Sequence, residues 1–275
     1  MKRIVTIQDI SALGKCSVTV ALPIISAMGV ECVVLPTALL SNHTMFEKFT
    51  FHDLTDEMAP IASLWQEEGI DFDAVYTGYL GSERQIRLVA DFFDKFGKGK
   101  IIVDPAMADN GKMYPAFTPD FAKRMATLCA RADLILPNLT EACFMLDREY
   151  KEEYDEAYIR DILVSLTDMG AKTAALTGVS FEKGKLGVMS YDSETKEFFS
   201  YFNTWLPVRF HGTGDIYSST VVGAMMGGMS VNEALAVAVD YTLECIRLTM
   251  EDKDANWYGV NFEQAMPYLI KRIEK

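Results

Sequence analysis

Short apolar runs alternate with longer amphipathic stretches along most of this chain, and that alternation leaves few folds open. Residues 4–7 read as a buried strand. Residues 17–28 read as a helix kinked by Pro23, with Gly29 ending it in the C′ role. Residues 32–35 read as a second strand. A strand, a helix and a strand in that order form a βαβ unit, so the sheet is expected to be parallel. The rhythm continues with helices at 54–68, 83–96, 121–130, 141–146 and 158–169. Strands at 74–77, 100–103, 134–136 and 173–176 fall between them. It then changes. Residues 186–191 and 197–202, on either side of a polar turn, read as an antiparallel hairpin, and two helices at 231–250 and 262–273 close the chain. We expect one doubly wound α/β domain over residues 1–275. Its central sheet is mostly parallel and flanked by helices, with some antiparallel strands at the edge. No linker rich in Pro, Gly or Ser and no fixed-period repeat divides it.

Composition narrows the function classes. Hydrophobic residues make up 49% of the 275 and charged residues 24%, which suits a soluble globular protein with a sizeable core. The net charge of −13 argues against nonspecific binding of nucleic acid or anionic membrane. It leaves room for a phosphate ligand held by a local nest of amides. Cys16, Cys32, Cys129, Cys143 and Cys245 form no CxxC pair and read as small buried hydrophobes in a reducing compartment. The first residues show no cleavage site, and no run of 18 apolar residues occurs. A cytoplasmic enzyme is the expectation.

One stretch stands out, His211-Gly212-Thr213-Gly214-Asp215, followed by small residues that read as a helix over 218–226. Glycines let a ligand approach the backbone, and amides ahead of a helix form an anion site. A carboxylate placed there repels the anion, so it needs another task. The economical one is a base: Asp215 takes a proton from a hydroxyl while Gly212, Thr213 and Gly214 hold a transferring phosphoryl group. The plainer reading is a turn with an Asp N-cap. No Gly-Lys-Ser/Thr follows, so this is not a Walker loop.

Ligands of open α/β sheets bind at the carboxyl ends of the strands. Polar residues gather at nearly every such end here: Asp9; Ser41, His43 and Thr44; Tyr79 between glycines; Asp104; Asn138 and Glu141; Thr177; and Asp215 after the hairpin. Each also has an ordinary structural reading. Asp104-Pro105 suits a turn as well as a Mg²⁺ site. Asn138-x-x-Glu141 suits a helix cap as well as metal and phosphate organisation. His43 suits a solvated loop, and Tyr79 suits the core. The recurrence across separate loops favours function.

Taken together, these motifs resemble the ribokinase-like superfamily, which ends its catalytic site in Gly-Thr/Ala-Gly-Asp and carries an earlier Asn-x-x-Glu. Within it the chain is most similar to the pyridoxal (vitamin B6) kinases, through Ser41-Asn42-His43-Thr44, Gly78-Tyr79-Leu80-Gly81-Ser82, Asp104-Pro105-Ala106-Met107 and Pro137-Asn138-Leu139-Thr140-Glu141. The resemblance implies transfer of the ATP γ-phosphoryl group to the 5′-hydroxymethyl of pyridoxal, pyridoxamine or pyridoxine. Asp215 would be the base, and Gly212, Thr213 and Gly214 the anion hole. Asp104 and Glu141 would serve Mg²⁺, and Asn138, Glu141 and Thr177 the ATP phosphates. Asp9, His43, Thr44 and Tyr79 would line the pyridine pocket. It further implies a homodimer and use of a monovalent cation such as K⁺.

One departure concerns the ring. Pyridoxal kinases usually carry Ser where this chain has Asp9. Hydroxymethylpyrimidine kinases show Gly-Ser-Asp at this turn, then a glycine-rich run that this chain lacks. A carboxylate would suit a protonated ring nitrogen or an amine. Alternatives are therefore a hydroxymethylpyrimidine kinase, a kinase of another small alcohol such as a sugar, or a catalytically silent sensor of vitamin or nucleotide. The segment between residues 35 and 54 shows no strand alternation, which disfavours a sugar kinase. Residues 106–119 and 181–185 are candidates for covering ATP.

Overall fold

The computed structural model describes residues 1–274. In chain order the elements are β1 (Arg3–Leu13), α1 (Val18–Ala27), β2 (Glu31–Asn42), β3 (Phe51–Asp53), α2 (Thr55–Glu67), β4 (Ala74–Thr77) and α3 (Glu83–Phe96). Next come β5 (Lys100–Val103), β6 (Ala108–Asp109), β7 (Lys112–Met113), α4 (Pro119–Cys129), β8 (Leu134–Ile135), α5 (Leu139–Met145) and α6 (Glu156–Asp168). The chain ends with β9 (Thr173–Val179), β10 (Lys185–Asp192), β11 (Phe198–Thr204), α7 (Thr213–Met226), α8 (Val231–Glu251) and α9 (Phe262–Ile273).

Nine strands form one sheet in the order β11-β10-β9-β8-β5-β4-β1-β2-β3. The middle, from β9 to β2, is parallel, and both edges are antiparallel. The apolar strand sequences have a direct cause. Successive side chains point to opposite faces, and helices cover both. Val5, Val75, Val103 and Ile135 pack into one core with α2 to α6. Their neighbours Ile4, Ala74, Ile102 and Leu134 pack into the other with α1, α7, α8 and α9. The helix α3 shows the matching pattern. Ser82 caps it by accepting the Gln85 amide at 3.2 Å. Ile86, Val89, Phe92, Phe93 and Phe96 form its buried stripe.

Two expectations need correction. The first strand does not stop at Ile7; it runs on to Leu13, so Asp9 lies within β1 rather than in a turn after it. The second strand likewise runs on to Asn42, and Phe51–Asp53 adds an antiparallel edge strand to it. The segment from 36 to 53 therefore does hold strand structure, and the argument against a sugar kinase from its absence fails. Leu13, Leu39 and Phe51 are exposed, which blurs the buried alternation that marks a strand. Pairing of β1 with β2 slips between Gln8 and Ile10, opposite a stretch that begins at Pro36. Such an irregularity re-aims side chains. A two-residue turn at Asn110 and Gly111, both at positive φ, makes the small β6–β7 hairpin.

Candidate active site

The site lies where the parallel strands end, and α7 is its centre. The helix begins earlier than read from sequence, at Thr213, with Gly212 as N-cap in the left-handed region at φ 80. Gly212 has a second constraint. A Cβ there would stand 1.8 Å from the Lys15 carbonyl oxygen. By helix geometry the first amides of α7 have no partner inside the helix, and the dipole adds positive potential. Gly214 faces open space, with no atom within 4 Å of a Cβ built on it. Asp215 is the third helical residue and not the N-cap, so the plainer capping reading does not describe it.

Asp215 is ringed by acids. Burial pushes its carboxyl up to about 8, and the charges of Asp104 and Asp9 push the same way; the Ser17 amide opposes them. Asp104 closes β5 and is buried. Its Oδ2 accepts from Ser218 Oγ at 2.7 Å and its Oδ1 from the Ala106 amide at 3.2 Å. Ser218 is bonded to the Tyr76 hydroxyl at 2.8 Å, which ties β4, β5 and α7 together. Burial raises the Asp104 carboxyl too, against the Ser218 bond. These groups favour the protonated form in the folded chain. The stability that Asp215 contributes is therefore present below its unfolded value of about 4 and lost as pH rises through about 8. The nucleotide-free protein should melt lower at pH 8.5 than at pH 6. Asp215→Asn should melt roughly 2–4 °C above wild type at the higher pH. Melting curves that stay parallel across that range would show that Asp215 is not strained by its surroundings.

The other expected residues fall into two groups. Asp9 and Tyr79 are brought together, since the Asp9 charge helps raise the Tyr79 phenol, after burial. The Tyr79 ring is half-buried, 5.4 Å from Phe117. Thr177 and Asn138 are bridged in parallel register, with the Thr177 amide on the Pro137 carbonyl at 3.0 Å.

Asn138 and Glu141 form a capping box at the start of α5. The side-chain Nδ2 of Asn138 also donates to the Ala108 carbonyl at 2.8 Å. Glu141 is buried, its Oε1 accepting the amides of Met107 (2.9 Å) and Ala108 (3.5 Å) and its Oε2 that of Asn138 (2.9 Å). Glu141 thus grips the β6–β7 hairpin rather than offering free oxygens to a metal. Among the described residues no cluster of three or more His, Cys, Asp or Glu side chains is placed to hold a metal ion. Asp104, with one hydrogen bond to each oxygen against three on Glu141, keeps more capacity to meet a Mg²⁺ ion.

His43 is also not where a substrate contact would be. It is 1% exposed. Its Nδ1 accepts the Met45 amide at 3.2 Å, so Nε2–H donates to the Tyr258 carbonyl at 3.0 Å. Its ring lies 4.2 Å from His211 and against Phe46 and Trp257. Burial, then the neighbouring His43, pushes His211 down to about 4, so this pair is neutral. His43 packs against His211, the residue just before Gly212. Thr44, the next residue, is exposed.

Sequence reading missed Ser17, Ser218 and Tyr76. Ser218 carries a signal in hindsight, three residues after Asp215 on the same helix face. Ser17 and Tyr76 carry none, because their partners come from distant segments.

A doubly wound sheet with an aspartate in the first turn of a helix, behind a glycine N-cap, defines a ribokinase-like protein. Residues 21–258 match the phosphomethylpyrimidine kinase family, and the chain belongs to it. A Bacteroides thetaiotaomicron protein provisionally named a phosphomethylpyrimidine kinase superposes with a TM-score of 0.94 at 38% identity, over 98% of this chain and 93% of that one. A second crystal form of it contains pyridoxal. The pyridoxal kinase of Lactobacillus plantarum superposes with a TM-score of 0.91 at 26% identity, over 98% and 97% of the two chains. The thiamine biosynthetic bifunctional enzyme TH1 of Arabidopsis thaliana is 27% identical over 218 residues, which is 79% of this chain and 41% of that enzyme. The chain thus spans less than half of that plant relative. No helix among the described residues is long and apolar enough to cross a membrane.

Proposed function

We propose that this protein is an ATP-dependent kinase of a ring alcohol. The favoured acceptor is the 5′-hydroxymethyl of pyridoxal, pyridoxamine or pyridoxine. The observation that carries the reading is Asp215 in the first turn of α7, directly beside the unpartnered amides that begin with Gly212. Those amides suit the γ-phosphoryl group as its charge spreads in transfer. Asp215 takes the proton of the acceptor hydroxyl, and that oxygen attacks phosphorus in line with departing ADP. The raised Asp215 carboxyl suits a base working near neutral pH. Asn138, just past β8, and Thr177, within β9, are bridged side by side and would serve the nucleotide phosphates. Mg²⁺ would neutralise phosphate charge, held by Asp104 together with water and the nucleotide itself, since Mg²⁺ keeps waters and takes few protein carboxylates. K⁺, a homodimer and a cytoplasmic setting belong to this proposal through the resemblance alone.

Three carboxylates, Asp9, Asp104 and Asp215, face one another electrostatically. A cationic acceptor such as pyridoxamine or a protonated pyridine would favour the charged form of these carboxyls, though Asp9 itself is buried and bonded to Ser17 and Ser11. The second reading is a hydroxymethylpyrimidine kinase, favoured by the family matched over residues 21–258. ATP consumption should be measured against pyridoxal, pyridoxamine, pyridoxine, hydroxymethylpyrimidine and ribose with Mg²⁺ and K⁺ present. Turnover confined to the B6 vitamers is the expected result. Turnover only with the pyrimidine would move the protein to the second reading. Intact ATP binding without turnover of any acceptor would make it a silent sensor.

A further inference from the structure

Asp9 stands where a substrate contact was expected, yet both its oxygens are engaged by this chain. Ser17 Oγ donates to Oδ1 at 2.6 Å and Ser11 Oγ to Oδ2 at 2.9 Å. The residue is 5% exposed, so these bonds are what make its burial tolerable. Ser17 is unusual in turn. It is the N-cap of α1 but its side chain makes no cap bond, and its backbone sits at φ 49, ψ −133. A side chain strains that conformation, and it persists only when its surroundings hold it. The payoff is visible at the site. The Ser17 amide favours the charged form of the Asp215 carboxyl. Two residues back, the Lys15 carbonyl touches Gly212 so closely that no Cβ fits between. The turn of residues 14–17 therefore seats both the base and the anion loop, and Asp9 holds that turn by its serine.

We propose that Asp9 is a positioning residue for the base. By gripping the Ser17 hydroxyl it keeps the strained turn in place and the Ser17 amide on Asp215, and it does so without touching the substrate. The inference rests on Asp215 being the base.

The test is a double-mutant cycle read as kcat and KM for both substrates. Asp9→Asn and Ser17→Ala should each lower kcat about tenfold, the usual scale for losing one charge-assisted hydrogen bond. KM for the ring alcohol and for ATP should stay within about twofold. Ser17→Gly should retain most activity, because glycine occupies a positive φ without strain. Adding Asp9→Asn to Ser17→Gly should then cost nothing further. A raised KM for the ring alcohol with kcat intact would make Asp9 a substrate contact and overturn the inference. So would an equal loss of kcat from Asp9→Asn whether or not Ser17 is replaced by glycine. Failure of the wild type to turn over any acceptor would sink the kinase reading instead. A crystal structure of the Asp9→Asn protein would then judge the inference alone. It stands if Ser17 has left the positive-φ region, and it falls if the Ser17 backbone is unchanged.

Discussion

Asp215→Asn is expected to lower turnover roughly 10²–10⁴-fold while ATP affinity stays close to wild type. Asparagine keeps the shape of the side chain and the N-terminus of α7 but cannot take the proton from the acceptor. The amides beginning at Gly212 that would hold phosphate are backbone groups, so the substitution leaves them in place. The same substitution removes a carboxyl that burial and the charges of Asp104 and Asp9 make costly to ionise. Lost activity should therefore accompany equal or greater thermal stability above neutral pH, a combination that damage to the fold would not produce. Single-turnover rates and nucleotide titration on one preparation separate the two effects. Survival of turnover within a few-fold would remove Asp215 from the role of base.

The second large effect is expected at Gly212. Gly212→Ala asks for a Cβ 1.8 Å from the Lys15 carbonyl at a φ of 80, so the loop or the turn has to move. Either movement takes phosphate-binding amides away from their positions. Losing one such donor costs on the order of 10²–10³ in kcat. ATP affinity and melting temperature should fall with it. Gly214→Ala is the control. It lies within α7, and its Cβ would meet no atom within 4 Å. Alanine there should melt at or above wild type, since glycine inside a helix is less favourable than alanine by roughly 0.5–1 kcal/mol. Any activity lost in that variant then reports crowding of the ligand, not disturbance of the fold. Equal melting of the two variants would mean that Gly212 is not pinned by Lys15.

The pairing of His43 with His211 explains why the loop can be so demanding. Its back is closed by a ring stack and by two backbone bonds to His43, one of them reaching the Tyr258 carbonyl more than 200 residues away in the chain. Lys15 closes the side, bonded to Asn261 at 3.2 Å and Glu263 at 2.9 Å. The Gly212 loop is thus contacted by residues from both ends of the chain.

Local patterns by themselves determined the sheet's parallel middle, the helices between its strands and the place of the hairpin. The reason is that buried strands and amphipathic helices write their environment into adjacent residues. Gly212 to Asp215 could be singled out as glycines beside an acid ahead of a helix, but only the structure showed that Gly212 is the N-cap and that the helix begins at Thr213. The tertiary structure decided the rest. Only it showed that Glu141 is engaged by the amides of Met107 and Ala108, that His43 faces Tyr258 and His211, and that Asp9 is held by Ser17 and Ser11. Those partners lie far apart in sequence or depend on a backbone angle that no side-chain pattern records. What a carboxylate or an imidazole does depends on which of its polar atoms are left free, and only the folded chain determines that.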